Sequence, residues 1–306
     1  MPTEADVPDR IVAWLDNAEP DLARVGGKAA SLIRLARLGF RIPPGFCLTT
    51  DAFDAQLATL AQAGSLGDDP AAILDGPTRH ALSEAMMVGP LADAVRDVLG
   101  ASLDRLAAAA ALEHGAEPLY AVRSSGVAED GASASFAGLH DTELGVTGDG
   151  VAAAVLRCWA SLWSDRAIEY RVRRDLALDG GSMAVVVQAL VPAAAAAVVF
   201  TRHPVTGRSD VLLINAVRGL GEAMVSGSVT PHSILIDKAT GSVVEFEPGD
   251  QAAGPALEAP VVAALAALCL EVESAFGAPV DIEAAHAAGG WYLLQARPIT
   301  TTGVRA

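Results

Sequence analysis

Residues 280–300 read VDIEAAHAAGGWYLLQARPIT, and the alternation within this stretch restricts the fold more tightly than any other part of the chain. Successive side chains on a strand point to opposite faces. Asp281 and Glu283 therefore share a face, with Val280, Ile282 and Ala284 behind them; Gln295 and Arg297 share a face opposite Leu294 and Ala296. A hairpin closed by a three-residue loop at Ala288-Gly289-Gly290 pairs Glu283 with Gln295 and Asp281 with Arg297. Two acids, an amide and a guanidinium then lie on one surface, and a slip of one residue would divide them between two. The hairpin alone leaves two readings open: a solvated face with a cross-strand ion pair, or a site built to hold charge.

The remaining elements are read from periodicity. VGGKAASLIRLARLGF repeats its apolar residues at Ala29, Leu32, Ile33, Leu35, Ala36 and Leu38 before Gly39, as an amphipathic helix does. Further helices are expected over 51–60, behind a Thr49-Thr50-Asp51 cap, over 91–112 and over 151–174. A short buried strand is expected at 118–123, followed by a loop of small residues over 124–138. Trp14, Trp159 and Trp163 are read as core. From Met183 the character changes to strands, at 184–191, 195–201, 210–216, 232–237 and 242–246, then a helix at 260–276 and the hairpin. This order predicts an α+β chain with a helix-rich first lobe over 1–182 and a sheet-rich second lobe over 183–306.

Composition narrows the partners. The 306 residues suffice for about two domains, and 21 basic against 37 acidic residues give a net charge of −16, which argues against a nucleic-acid backbone. Cys47, Cys158 and Cys269 are far apart and odd in number, offering neither a disulfide framework nor metal-ligand spacing. A reducing, cytoplasmic location is expected. MPTEADVPDR has no apolar core of the signal-peptide kind. The stretch AVVVQALVPAAAAAVVF is interrupted by Gln188 and Pro192 and is short for a membrane span, so it reads as two buried strands and no membrane partner is expected.

Several segments carry chemistry-bearing residues. Val25-Gly26-Gly27-Lys28 precedes a helix, where amides of the first turn suit phosphate. Lys28 opposes the helix dipole unless an anion lies nearby. The GxxxxGK[ST] spacing of a P-loop is absent, and most GGK strings are simple turns. Arg123-Ser124-Ser125 follows a strand and reads either as a phosphate clamp or as a tie to Glu129 and Asp130. SASFAGLHDT, residues 133–142, reads as a fold over an anion or as a surface loop. His140, His203 and His232 lack zinc-ligand spacing and are read as structural or as lining a cleft.

Taken together, these segments resemble the N-terminal ATP-binding domain shared by phosphoenolpyruvate synthase, pyruvate phosphate dikinase and rifamycin phosphotransferase. The resemblance runs over nearly the whole chain, through VGGKAASL, IPPGFCLTTDAF, YAVRSSGVAEDGASASFAGLHDT, VVVQALV, VVFTRHPVTG, INAVRGLGEAMVSGSVTP, VDIE and LLQARPIT. It implies a two-lobed ATP-grasp-like fold with the nucleotide cleft between the lobes. It also implies that Glu283 and Gln295 hold Mg²⁺ against the phosphates of ATP, that Arg297 contacts the transferring phosphate, and that Asp281 supports them. Lys28 and Arg123 match the family's phosphate-binding lysine and arginine, and with Arg297 form the expected catalytic set. Gln188 and Val191 match the hinge segment near adenine, Glu222 an acid on the ribose side, and Gly138 and Thr142 belong to the nucleotide-binding loop. Ala284, His232 and the alanine run 193–197 depart from the family pattern, which has an aromatic residue, an acid and a glycine there.

The activity implied is cleavage of ATP to AMP and phosphate, with the β-phosphate passing to a histidine and then to a phenol, pyruvate or an antibiotic hydroxyl. No phosphohistidine segment is recognised in the chain, so a partner protein or domain is expected to carry it, the chain being a split subunit or an excised domain. Split versions in this superfamily include phenylphosphate-type synthases. The competing expectation is an ATP-sensing module without catalysis.

Overall fold

The computed structural model describes residues 7–64, 76–114, 118–127, 142–173, 181–250 and 256–299. It divides into two units, Met1–Arg34 with Pro44–Leu190, and Leu35–Pro43 with Val191–Ala306. Both contain helices and an antiparallel sheet, so the α+β class holds.

In the first unit the chain runs α1 (Val7–Ile11), β1 (Val12–Trp14), α2 (Leu22–Arg37, whose last turn belongs to the second unit), β2 (Gly45–Leu48), α3 (Thr50–Gln62), α4 (Gly76–Val88) and α5 (Asp93–His114). It continues through β3 (Tyr120–Gly126), β4 (Thr142–Val146), α6 (Val151–Ala160), α7 (Asp165–Arg173) and β5 (Met183–Ala189). The five strands form a sheet in the order β1-β2-β5-β3-β4. Its core face carries Phe46 and Leu48 of β2, Tyr120 and Val122 of β3, and Met183, Val185 and Val187 of β5. Trp159 meets Phe53 edge-on and Trp163 stacks with it, each 5.9 Å from it between ring centroids, so both are core residues as expected, while Trp14 is partly buried against the same core. The helix expected over 151–174 is broken. Ser164 is extended, and its hydroxyl accepts the Ala167 amide at 3.3 Å, so it ends one helix and caps the next.

β5 lies at the centre of this sheet, paired with β2 on one side and β3 on the other. The sequence reading put it at the start of a second lobe. Its ladders instead carry the first unit through Leu190, while Leu35, fully buried, joins the core of the second. Strands β1, β2 and β4 and helix α4 were not anticipated either.

The second unit contains β6 (Ala195–Phe200), β7 (Val211–Arg218), α8 (Glu222–Val225), β8 (His232–Asp237), β9 (Val243–Glu247), α9 (Ala259–Phe276), β10 (Val280–Ala287) and β11 (Gly290–Pro298). All six strands are antiparallel, in the order β11-β10-β6-β7-β8-β9. One face packs against α9: Val199, Ile214, Ile282 and Leu293 meet Leu265, Cys269 and Val272. α9 is long and apolar enough by composition to cross a membrane, with a mean hydropathy of 1.7 over 18 residues. Its stripe Val262, Leu265, Ala266, Cys269 and Val272 is nevertheless buried in this core. The helix stops at Gly277, left-handed at φ 69°, whose amide returns to Glu273 O at 2.9 Å.

One backbone feature of the first unit determines how α2 lies. Gly26 interrupts the helix with φ 70° and ψ 175°, a conformation open essentially to glycine alone. A Cβ there would meet the Ser125 carbonyl oxygen at 2.1 Å. Gly39, at φ 85°, has open space around its missing Cβ. Gly26→Ala is expected to lower stability by about 3 kcal/mol or more, combining strain with a backbone clash. Gly39→Ala should cost only about 1–2 kcal/mol. Urea unfolding of the two variants side by side checks this, and equal losses would mean that α2 does not need its close approach to β3.

Candidate functional site

In the first unit, alternation along β3 sends Ala121, Arg123 and Ser125 to the face opposite the core. Gln188 of β5 pairs with Ala121 and Thr142 of β4 with Arg123, so both share that face. Arg123 and Gln188 are buried, at 8% and 2% exposed, whereas Thr142 is exposed. Gln188 lies over Gly45, where an added Cβ would stand 2.7 Å from its Cγ.

The start of α2 is bound to this same face. The Ser125 hydroxyl donates to the Val25 carbonyl at 2.8 Å and accepts the Ala29 amide at 3.1 Å. The Cys47 thiol, on the neighbouring part of the face, also donates to Val25 O, at 3.6 Å. Ser125 thus caps the helix from across the sheet and sets Lys28 in its first turn. One first-turn amide, that of Ala29, is engaged by this contact rather than left for an anion. Lys28, Arg123, Thr142 and Gln188 are thereby gathered on one side of one sheet. Gly138 lies outside the described residues, as does the rest of the loop over 128–141.

In the second unit the hairpin has the expected pairs: Asp281 opposite Arg297 and Glu283 opposite Gln295. The means differ from expectation. The turn has two residues, Ala288 and Gly289, and Ala287 pairs with Gly290. The register then shifts between Glu283 and Ala284, which pairs with Leu293, so Leu294 is the extra residue of a bulge. A two-residue turn plus one bulged residue yields the polar register that a three-residue loop would have produced.

Arg297 donates through Nε and Nη2 to the same Asp281 oxygen, Oδ2, at 2.9 and 2.8 Å. Burial nevertheless pushes the Asp281 carboxyl above the usual range; Arg297 opposes that rise, and Glu283 adds to it. The start of β10 is held by a separate chain of contacts. The Val280 amide donates to Thr201 Oγ1 at 2.8 Å, and that hydroxyl donates to Glu273 at 2.9 Å. Lys238 donates to both Glu273 oxygens, at 2.8 and 2.7 Å.

Farther along the same face, Val191 packs with Ala285, Ala287 and Tyr292. Arg41 stacks on the Tyr292 ring at 3.9 Å and donates to Gly289 O at 2.9 Å. Glu222 is the exposed first residue of α8. The preceding Gly221 lies against Ala196, the cross-strand partner of Ala285. Val191, Glu222, Asp281, Glu283, Gln295 and Arg297 therefore belong to one surface of the second unit. Alternation around Arg123 could have revealed Ser125 as part of the first face. Arg41 had no such signal, because it meets Tyr292 across 251 positions.

Among the histidines, His203 Nδ1 accepts the Val205 and Thr206 amides, and His232 is buried, with Nδ1 accepting the Gly249 amide at 3.1 Å. Both serve local structure. A divalent metal is tested best at the hairpin. Glu283 and Gln295 present a carboxylate and an amide oxygen directly across one strand pair. Such hard oxygen donors suit magnesium, which usually takes one or two protein ligands and keeps water. Among the described residues no group of three or more His, Cys, Asp or Glu is placed to cage a metal.

A family model described as the AMP/ATP-binding domain of pyruvate phosphate dikinase matches residues 22–253. The chain belongs to this ATP-binding domain family. It is 38% identical to a rifampicin phosphotransferase of a Streptomyces species, covering 95% of this chain and 36% of that protein. A prodigiosin synthesizing transferase of Serratia marcescens is 38% identical over 91% of this chain and 32% of its own length. A probable phosphoenolpyruvate synthase of Methanothermobacter thermautotrophicus is 34% identical over 96% of this chain and 46% of its own length. The chain thus spans about a third to a half of the length of these relatives.

The raised Asp281 pKa has a testable sign. An acid whose folded pKa exceeds its unfolded value favours the fold below the unfolded value, and that contribution is lost as pH rises through the folded one. Asp281→Asn removes this dependence. Relative to wild type, the variant should gain stability as pH rises from about 4 through the raised value. Denaturant midpoints measured across that range check it, and an opposite slope would mean that Arg297 outweighs burial.

Proposed function

We propose that this chain activates ATP for a dikinase-type phosphotransferase. ATP is cleaved to AMP and phosphate, and the β-phosphate passes to a histidine on a partner domain or protein and from there to an acceptor. The acceptor class is a phenol, pyruvate or an antibiotic hydroxyl. The observation that carries the reading is the hairpin register, which sets Glu283 against Gln295 and Asp281 against Arg297 on one face.

In this reading Glu283 and Gln295 hold magnesium through one oxygen each. The ion neutralises phosphate charge, the main demand of phosphoryl transfer beyond positioning. Lys28 and Arg123 bind phosphate oxygens, with Gly138 and Thr142 completing the phosphate-side contacts. Gln188 and Val191 serve the base and Glu222 the ribose. Arg297 contacts the phosphate being transferred, and Asp281 fixes the plane of its guanidinium through the paired hydrogen bonds. In this reading the relay histidine belongs to a partner domain or protein; His203 and His232 each accept backbone amides through Nδ1. The three cysteines, buried and in no disulfide, accord with a reducing cytoplasm.

Two measurements test the proposal. Glu283→Gln should weaken Mg·ATP binding at least tenfold by calorimetry, in the range seen when metal-site residues are lost, while leaving metal-free ATP binding nearly unchanged. Equal Mg·ATP affinity in both proteins removes the metal role. Arg123→Lys and Arg297→Lys keep charge but lose the planar fork. With a histidine-bearing partner added, each should reduce AMP formation by about 10²-fold, as loss of a transition-state donor does, with ATP affinity little changed. Full turnover for Arg297→Lys would make its pairing with Asp281 purely structural.

A further inference from the structure

The pairing register defines rows that cross the whole second sheet, and one row differs from its neighbours. Gln295 pairs with Glu283, Glu283 with Val198, Val198 with Asn215, Asn215 with Ser233, and Ser233 with Glu247. Residues in register share a face, so this row lies on the open side, opposite the α9 core. Five of its six members are polar. The adjacent row through Asp281 continues as Phe200, Leu213, Leu235 and Glu245. On the other side, the row through Ala285 continues as Ala196 and Val217. A face polar only because it meets water would spread its polarity over all rows. On β7 and β8, inside the sheet, the polarity follows the Glu283–Gln295 line: Asn215 and Ser233 stand beside Leu213 and Leu235.

Asn215 is the member of that row placed to act with the hairpin. It stands on β7, inside the sheet, where asparagine is disfavoured by strand propensity, and it is half-buried. Two strand spacings separate it from Glu283, about 10 Å between Cα atoms. A carboxylate and an amide that lean toward each other over Val198 would leave a gap suited to a hydrated cation. Magnesium sheds its water reluctantly, and an amide carbonyl accepts a hydrogen bond from such a water.

We propose that Asn215 is a positioning residue for the metal held at Glu283 and Gln295, its Oδ1 accepting a hydrogen bond from a magnesium-bound water. The assignment rests on the metal role given to those two residues above. Asn215 touches no reacting atom; it restricts where the hydrated ion sits.

Calorimetry with Mg·ATP and with ATP in the presence of chelator, on wild type, Glu283→Gln, Asn215→Ala and Asn215→Asp, tests this. Asn215→Ala should weaken Mg·ATP binding about 10-fold or more, as loss of an outer-shell partner does, while changing metal-free ATP binding less than about twofold and leaving the melting temperature near wild type. Asn215→Asp keeps the acceptor oxygen and should retain the magnesium dependence, which also decides the matter if the alanine variant fails to fold. Bound Mn²⁺·ATP gives an independent readout: its electron paramagnetic resonance spectrum should broaden in Asn215→Ala and not in Asn215→Asp.

Equal weakening with and without magnesium would place the amide on the nucleotide and overturn the assignment. So would a loss in Asn215→Asp as large as in Asn215→Ala. If Glu283→Gln loses magnesium dependence and Asn215→Ala does not, this inference alone fails. If Glu283→Gln also binds Mg·ATP as wild type does, the metal site itself fails and Asn215 falls with it.

Discussion

The bulge at Leu294 is the constraint on which the second unit depends. On the turn side of the bulge, Ala284 faces Leu293 and His286 faces Trp291; on the other side, Glu283 faces Gln295. An unbulged hairpin with the same polar pairs would reverse every residue from Leu294 back to the turn. Tyr292 and Leu294 would then enter the α9 core, and Trp291 and Leu293 would leave it. As folded, Leu293 is fully buried in that core and Trp291 donates to Val261 O of α9 at 3.3 Å. Tyr292 instead reaches Arg41 and the Val191 cluster. One extra residue reconciles two demands that strict alternation sets against each other: four polar groups on one face and the correct aromatic on each.

The first unit solves a related problem with a hydroxyl. Its sheet packs apolar residues on one side, and the other side must receive a helix start without stranding buried backbone groups. Ser125 satisfies an amide and a carbonyl of α2 at once, and Gly26 lets the backbone come close enough for it to do so. The arginine two residues earlier and the lysine three positions beyond Val25 take their places from that contact. The GGK string therefore has a structural explanation in Gly26 as well as the proposed chemical one in Lys28.

Most of this was legible where a local period was long or where polar residues alternated. The strands at 195–200 and 232–237, the helix at 259–276 and the cross-strand pairs of the hairpin follow from such patterns. Short elements behind prolines or small residues were hidden. GFCL is a fully buried four-residue strand, but it is short and directly follows two prolines. The unit boundary was misplaced because β5 and β6 look alike as alanine–valine runs, and only pairing partners separate them. The bulge was hidden for a deeper reason. Two turns of different length lead to the same polar pairs, so the feature that pointed to the hairpin could not report how it closes. The row through Asn215 required the order of six strands, which no local pattern contains.

The Lys238–Glu273 contact leaves an unusual chemical surface. The chain has two lysines, Lys28 and Lys238. Lys238 is held by both oxygens of Glu273 with only 16% of its side chain exposed, which crowds its amine. Acylating reagents that need a neutral amine will meet one hindered lysine and one at the start of α2. Side-chain amine labelling, ordinarily a scatter of modifications over a protein surface, is confined on this chain to two positions, one crowded by an ion pair and the other on the helix start that Ser125 caps.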